Sequence, residues 1–344
     1  MPKWSAPLGL AILLIAVAVH WALSPSPYYK AVPGPVIPLA GQISSAKAKN
    51  LSYVTIEVTE LNWIQYLWYS RIGHNPNIIS AHDLGTTADA ADQSYEMRQA
   101  KDSAAVLATY IVTGHYSATP TGSVIESILS RSPASRAGFM PGDVIVSVDG
   151  HSVTSPTALV TRTISSNGHR LHFGVLRYGK PIVISATPKK INGEYRVGVT
   201  IAPYDTLLPP KNTPTINTAG VAGPSGGLMF TLATLNALVP GDLSGPYHIA
   251  GTGTISAEPA TLGQVGPIGD VALKIQGAIS AGNQVFFVDP YDYAAAKMAA
   301  GTSITVVPVA SVYGALRWLC DNGATDKICN DLGKINKLLK TNLS

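Results

Sequence analysis

Charge is scarce in this sequence of 344 residues. Only 13% of the residues are Asp, Glu, Lys or Arg, whereas 46% are hydrophobic, and this composition excludes a disordered polyelectrolyte. The 24 Lys and Arg residues barely outnumber the 20 Asp and Glu residues, which excludes the basic surface that a nucleic-acid partner requires. At about 100–200 residues per domain, the length predicts two or three folded domains.

Long apolar runs are equally scarce, which excludes a protein with several membrane spans. One run, Ala6–Leu23, would rise about 27 Å as a helix, close to the ~30 Å thickness of the hydrocarbon layer. Trp4 and Trp21 flank it, as aromatic residues at a membrane interface do. The run predicts a single transmembrane helix in the cell membrane, with a cytoplasmic N-terminus and an extracytoplasmic C-terminal body. A cleaved signal peptide with Lys3 in its basic region is the alternative.

Only two cysteines are present, Cys320 and Cys329. In an exported domain they could form one disulfide that closes a short loop, and two free core thiols are the alternative. Two cysteines with no histidine partner do not make a zinc site. The sequence therefore predicts neither a metal nor another cofactor.

The rest of the chain predicts an α+β multidomain fold, with a β-rich module followed by a mixed α/β domain. Five prolines in Ser24–Pro38 predict an extended stalk. Alternation in Leu51–Glu60 predicts a strand, and apolar spacing in Ala88–Tyr110 predicts a helix. The expected divisions are residues 1–27 for the cytoplasmic tip and transmembrane helix, 28–110 for the stalk and N-terminal α/β region, 111–190 for the β-rich module and 191–344 for the second α/β domain with its C-terminal helices.

The β-rich module carries an ordered motif, SPA-x-x-AG-x-x-x-GDVI-x-x-V-x-G, from Ser132 to Gly150. This string resembles a PDZ domain of the bacterial, circularly permuted type. The resemblance implies that an extended peptide adds to a strand edge beside a helix, and that backbone amides of a loop capture its C-terminal carboxylate. Chain order predicts that loop within Thr113–Gly122. The alternative is a PDZ fold used only for packing or for forming a homo-oligomer.

A glycine-rich turn precedes a strongly apolar helix, Leu228–Leu238, and places Ser225 between Gly223-Pro224 and Gly226-Gly227. A hydroxyl there lies beside unpaired backbone N–H groups and the positive end of the helix dipole. These features suit a nucleophile whose product is an oxyanion. Serine is also a common helix N-cap, so the motif by itself is compatible with a purely structural role.

A second candidate residue is Lys274, which borders an apolar stripe on the predicted helix Asp270–Ala281. Loss of hydration would lower the pKa of this lysine and make its neutral amine available as a base for a serine hydroxyl. The alternative for Lys274 is an ordinary solvated surface charge. A Ser–His mechanism would have to use His248, which lies in a predicted strand with no positioned Asp.

Together these segments resemble the proteolytic domain of the Lon family in an ATPase-free, PDZ-bearing, membrane-anchored form. The matching residues are GPSGG with Ser225, the pair Thr252-Gly253, the run Gly263-x-Val-x-Pro-Ile-Gly269, and Lys274. The resemblance implies an ATP-independent serine endopeptidase that acts on unfolded or extended polypeptides. Ser225 would be the nucleophile and Lys274 the general base, with Thr252, Gly223 and Gly226 in support. It also implies a homo-oligomer.

One departure from the family pattern is Asp270, which replaces a glycine four residues before Lys274. Pairing of the two side chains on one helical face would raise the lysine pKa and weaken the base. A membrane PDZ adaptor with weak or no catalytic activity is therefore the alternative function.

Overall fold

The computed structural model describes residues 5–43, 50–72, 77–81, 87–115, 118–177, 180–191, 193–207, 213–218, 221–258 and 261–340. The helices are α1 (Ser5–Leu23), α2 (Trp63–Arg71), α3 (Thr87–Thr113), α4 (Pro133–Ala137), α5 (Pro156–Ser165), α6 (Gly227–Leu238), α7 (Val271–Ser280), α8 (Tyr293–Ala300), α9 (Val312–Asp321) and α10 (Leu332–Lys340). The strands are β1 (Pro25–Pro38), β2 (Leu51–Asn62), β3 (Ile78–Ser80), β4 (Ala118–Ile128), β5 (Val144–Val148), β6 (His151–Ser152), β7 (Leu171–Arg177), β8 (Lys180–Ala186), β9 (Lys189–Ile191), β10 (Glu194–Arg196), β11 (Val199–Leu207), β12 (Ile249–Gly251), β13 (Thr254–Ile255), β14 (Val265–Gly266), β15 (Val285–Val288) and β16 (Thr305–Pro308).

The prediction of a single transmembrane helix is not supported. The predicted run lies in α1, but none of the helices in the described ranges combines the length and the apolar character that crossing a membrane requires.

The segment expected to be a proline-rich stalk is a strand in the main sheet. In this sheet the strands follow the order β16-β15-β12-β2-β1-β3. Strand β12 runs parallel to β2, with Ile249 opposite Leu51 and Gly251 opposite Tyr53. The N-terminal ribbon β1–β2 and the C-terminal strands therefore share one sheet. One buried cluster joins residues of both regions, among them Leu51, Tyr53, Phe230 and Phe287.

The β-rich module forms a second sheet with the order β11-β4-β5-β7-β8. Strand β11 pairs antiparallel with β4, with Val199 opposite Ile128. The pairing of this second sheet therefore continues to Leu207, whereas the expected boundary at 190 stays a prediction. The module has its own buried cluster, which includes Ile145 and Phe173. The main α/β unit is built from segments on both sides of this inserted module.

Local interactions explain why the predicted motif folds as it does. Ser132 caps α4 by accepting a hydrogen bond from the Ser135 N–H at 3.1 Å, and Gly138 ends the helix in the left-handed conformation with φ of 82°. The buried carboxylate of Asp143 accepts two hydrogen bonds from Arg177, at 2.8 and 2.7 Å. This bidentate pair ties the turn before β5 to the end of β7.

The predicted disulfide is present. Cys320, at the end of α9, bonds to Cys329, which lies just before α10, and the two Cα atoms are 5.4 Å apart. The bond holds the C-terminal helix near the main core, to which Ile335 of α10 contributes.

Two fully buried phenylalanines test whether the inserted module folds as a separate unit. Phe230 packs edge-on against Tyr53 in the main core, and Phe173 packs edge-on against Phe139 in the module. Because the two side chains belong to separate buried clusters, we expect two calorimetric transitions in the full chain. Each Phe→Ala change should cost its own unit about 3–5 kcal/mol of stability. Phe230→Ala should therefore lower the transition temperature of the main unit only, and Phe173→Ala that of the module only.

The milder Phe→Leu changes provide the same comparison if an alanine variant fails to fold. A single transition whose temperature falls equally with both substitutions would show one cooperative unit instead of two.

Candidate functional site

A cavity of about 640 Å³ lies where the β1–β2 ribbon, α3, the turn before α6 and the start of α7 meet. Its lining includes Glu57 from β2, Met97 from α3, Ser225, Asp270 and Lys274. The structure thus brings Ser225 and Lys274 to one cavity. Glu57 and Met97 were not predicted as site residues, because they come from segments more than 100 residues away along the chain and carry no local motif.

Ser225 lies on a single 3₁₀ turn, Pro224–Gly226, directly before α6. Gly223 enters this turn with φ of 89°, a positive value that favours glycine. At Gly226 an added Cβ would lie 2.5 Å from the ring of Phe230, so the packing leaves no room for a side chain. The two glycines predicted to support the site therefore determine the path of the turn.

Thr252 holds the Ser225 turn against the end of β12. The carbonyl oxygen of Ser225 accepts one hydrogen bond from the Thr252 hydroxyl at 3.1 Å and another from the Gly253 N–H at 2.8 Å. The Thr252 N–H in turn donates to the carbonyl of Phe287 on β15 at 3.0 Å. Because Thr252 is fully buried, these contacts are shielded from water and keep the turn in place.

Lys274 is buried on α7, with only 4% of its surface exposed. Its Nζ donates a hydrogen bond to the Thr252 hydroxyl at 3.4 Å. Desolvation lowers the pKa of Lys274 to about 8, although the negative charges of Asp270 and Asp292 act in the opposite direction. The alternative of a solvated surface lysine therefore does not apply.

Asp270 opposes the effect of burial without overcoming it. It lies at the N-cap of α7 in the left-handed conformation, with φ of 55°, where a non-glycine residue is strained. As expected, its charge favours the protonated lysine, yet the net pKa shift of Lys274 is downward. Asp292 is also buried, and its Oδ2 accepts a hydrogen bond from the Ile268 N–H at 2.8 Å.

Ser225 and Lys274 are connected through Thr252 rather than directly. Among the described residues, no hydrogen bond joins the Ser225 hydroxyl to the Lys274 amine, and such contacts are often long in a protein without its substrate. His248 is exposed at the start of β12 and does not line the cavity, so the structure offers no support for the Ser–His alternative.

A second cavity, of about 530 Å³, lies in the inserted module between α5 and the chain leading into β11. Leu159 and Thr163 of α5 face Tyr195, Val197 and Ile201 across it. The loop expected within residues 113–122 does not contribute to the described lining. The chain that faces α5 comes after β8 in the sequence, and the role expected for residues 113–122 stays a prediction.

Helix α3 contacts both the module and the Ser225 turn. The hydroxyl of Tyr95 lies 2.8 Å from the hydroxyl of Tyr204 on β11. Nearby on α3, the carbonyl of Gln93 accepts a hydrogen bond from the Gly223 N–H at 3.0 Å. Strand β11 and the chain beside the Ser225 turn therefore contact the same short stretch of α3.

Comparison with known families identifies the module. Residues 124–177 match the family model described as PDZ domain. The chain contains a PDZ domain. This confirms the resemblance carried by the motif from Ser132 to Gly150.

Three curated relatives have names that state a proteolytic activity. The "Regulator of sigma-E protease RseP" of Salmonella typhimurium is 26% identical over 72% of this chain and 60% of its own length. The "Putative zinc metalloprotease LL2128" of Lactococcus lactis is 38% identical over 23% of this chain and 18% of its own length. The "Serine protease HTRA1" of Xenopus tropicalis is 39% identical over 21% of this chain and 15% of its own length. The chain therefore spans less than two thirds of each.

These relatives overturn the expected Lon-family assignment. The match over 72% of the chain is to a regulator of sigma-E protease, and other relatives are named zinc metalloproteases. Membership of the Lon family, and the Lon-type serine endopeptidase function it implied, are therefore wrong. The resemblance depended on short glycine-rich runs, and such runs recur wherever a tight turn meets a helix or strand.

The names of some relatives raise the question of a zinc centre in this chain. Within the ranges that the structure describes, no three His, Cys, Asp or Glu side chains come together to hold a metal ion. A protein zinc site uses at least three such ligands, so the described residues do not fit one.

Burial of Lys274 predicts an unusual pH dependence of stability. Its pKa is about 8 in the folded chain, whereas in the unfolded chain it returns to the ordinary 10.5, so the unfolded state binds more protons between these values. The free energy of unfolding should therefore rise between pH 8 and pH 10.5. Over this range, the free energy of unfolding of the wild type should increase by about 3 kcal/mol relative to that of Lys274→Met. Urea denaturation at several pH values measures both free energies.

The exposed Lys297 on α8 provides the matched control. Lys297→Met should differ from the wild type by the same small amount at every pH. A constant difference between the wild type and Lys274→Met across this range would contradict a buried lysine of lowered pKa.

Proposed function

We propose that this chain is a protease that binds polypeptides through its PDZ domain, with the cavity that holds Ser225, Thr252 and Lys274 as its candidate functional site. The observation that carries the proposal is the buried Lys274, whose pKa of about 8 keeps part of the amine neutral near physiological pH. The protease names of the relatives support the same class of activity.

The cavity supports a defined role for each residue. The neutral Nζ of Lys274 would accept a proton from a group bound in the cavity, and the Ser225 hydroxyl would hydrogen-bond to that group. Thr252 would orient the amine through the hydrogen bond that it accepts from Nζ.

The surroundings of Ser225 would stabilise negative charge on the carbonyl oxygen of a bound peptide. The turn leads into the N-terminus of α6, where the helix dipole is positive. Gly226 lines the cavity and has no side chain, so a peptide carbonyl can approach the backbone N–H groups closely.

Two observations favour action outside the cytoplasm and at a membrane. The disulfide between Cys320 and Cys329 is typical of an oxidising compartment. The large apolar side chains of α1, including Leu13, Ile15 and Val17, are more than half exposed. We also propose that the domains follow the sheets, with the PDZ domain at residues 118–207 inserted into the α/β domain.

A PDZ adaptor without catalytic activity is the second candidate function. The observation that favours it is the missing direct hydrogen bond between the Ser225 hydroxyl and the Lys274 amine among the described residues. Cleavage assays separate the two functions.

Cleavage of an unfolded protein by the full chain should depend on both Ser225 and Lys274. We expect Ser225→Ala and Lys274→Ala to lower the rate by roughly 10²–10⁴-fold, because each removes a polar group that can exchange a proton or a hydrogen bond with the bound polypeptide. The wild-type rate should rise with pH up to about 8, as Lys274 loses its proton. Mass spectrometry of new peptide termini measures the rate.

Exposed Ser303 and Lys297 provide the matched alanine controls, which should cleave at the wild-type rate. Cleavage that survives in both site variants but stops with a zinc chelator would place the activity elsewhere and contradict the site. Absence of cleavage in the wild type would favour the adaptor function.

Peptide binding should occur in the cavity of about 530 Å³ beside α5, which is called the groove below. We expect Val160→Arg, which places a charge in the groove lining, to weaken binding of peptides with apolar C-termini at least about tenfold. Thr161→Arg is the matched control, since Thr161 is exposed on the same helix and does not line the groove. Fluorescence anisotropy with labelled peptides measures the affinity, and equal effects of both variants would contradict the groove.

A further inference from the structure

Helix α2 presents an apolar face to its surroundings. Ile64, Leu67 and Trp68 are 54%, 42% and 56% exposed, and Ile72 just beyond the helix is 60% exposed. Their spacing places all four on one side of the helix. Soluble monomers seldom leave such a contiguous apolar surface open to water, so this face needs an apolar environment.

The opposite side of α2 packs against α1 and β1. Trp63 stacks on Trp21 of α1, with ring centroids 5.4 Å apart, and Tyr66 stacks on Tyr28 of β1 at 3.8 Å. A capping box formed by Asn62 with Gln65 sets the start of the helix. The exposed face is therefore held in a defined orientation relative to α1 and to the β1–β2 ribbon.

The exposed surface of α1 continues this apolar face. Large apolar side chains from Leu10 to Leu23 are more than half exposed at consecutive positions, and on a helix such positions point in every direction. One docked protein would cover only one side of α1, whereas a lipid layer can contact apolar side chains on several sides of it. This distribution favours a lipid layer over a second copy of the chain.

The residues at the junction of α1 and α2 suit the boundary between lipid and water. Trp and Tyr side chains concentrate where apolar and polar surroundings meet, and Trp21, Trp63 and Trp68 all lie here. Two cations lie alongside, where they can reach lipid phosphates. Arg71 is exposed, and the Nζ of Lys30 lies 4.1 Å from the centre of the Tyr69 ring.

We propose that α2 lies flat on a lipid bilayer, with its Ile64–Ile72 face among the acyl chains and headgroups. The β1–β2 ribbon then leads away from the lipid to the cavity. The last part of strand β2 runs from Glu57 in the cavity lining to Asn62 at the N-cap of α2, and five residue steps along a strand span roughly 16 Å. The ribbon therefore holds the cavity at a fixed short distance from the bilayer, whatever reaction occurs there.

Nitroxide labels on the full chain test this orientation in vesicles of mixed phosphatidylcholine and phosphatidylglycerol. Both native cysteines are in the disulfide, so a label attaches only at an introduced cysteine. Ile64→Cys and Trp68→Cys report on the apolar face. Ser70→Cys is the control, because Ser70 is exposed on the other side of α2.

We expect labels at 64 and 68 to collide severalfold more with oxygen and severalfold less with a water-soluble nickel chelate than the label at 70. Equal access of the nickel chelate to all three labels would overturn the proposal. Spin–spin broadening at 64 and 68 that disappears on dilution with unlabelled chain would also overturn it, because a second copy would then cover the face. Circular dichroism of each variant verifies folding.

Discussion

The candidate site depends on how the carbonyl oxygen of Ser225 is held. It accepts hydrogen bonds from Thr252 and Gly253 at the end of β12, so the turn before α6 is fixed to the middle of the main sheet. Strand β12 is itself paired on both sides, with β2 and β15. The position of the hydroxyl is thus set by the sheet and not by a surface loop. Sites on such rigid supports keep their geometry more closely than sites on loops.

The cavity also contains two features that cost stability. Lys274 is buried where desolvation disfavours its charge, and Asp270 adopts a left-handed conformation at the start of the same helix. Strained or desolvated groups persist only where the surrounding packing holds them, and they concentrate at functional sites. The apolar side of α7 supplies that packing, because Val271, Ile275 and Ala278 all belong to a buried cluster with strands of the main sheet. Burial lowers the pKa of the Lys274 amine and the charge of Asp270 raises it, and the net result is a pKa of about 8.

Local patterns predicted the parts of the protein that local interactions determine. The motif from Ser132 to Gly150 identified the PDZ domain because its caps and turns are set by neighbours in sequence, as the Ser132 cap shows. Ser225 and Lys274 were predicted as site residues, and the structure brings them to one cavity, although their chemical roles remain a proposal. The prolines of β1 suggested a stalk, since pairing with β2 over nine registered positions is invisible in the segment itself. The family assignment failed because glycine-rich turns are shared by unrelated proteins.

Insertion of the PDZ domain gives α3 its position between two sites. In chain order the strands of the second sheet follow α3 and end with β11. Tyr95 of α3 contacts Tyr204 of β11, while Gln93, two residues earlier, bonds to Gly223 beside the Ser225 turn. A displacement of β11 relative to the main sheet would have to break the tyrosine contact or move α3. Helix α3 packs along α6, and its Leu107 and Ala108 belong to the main buried cluster, so moving α3 would disturb the main core. The packing of α3 therefore keeps a fixed separation between the groove beside α5 and the cavity that holds Ser225.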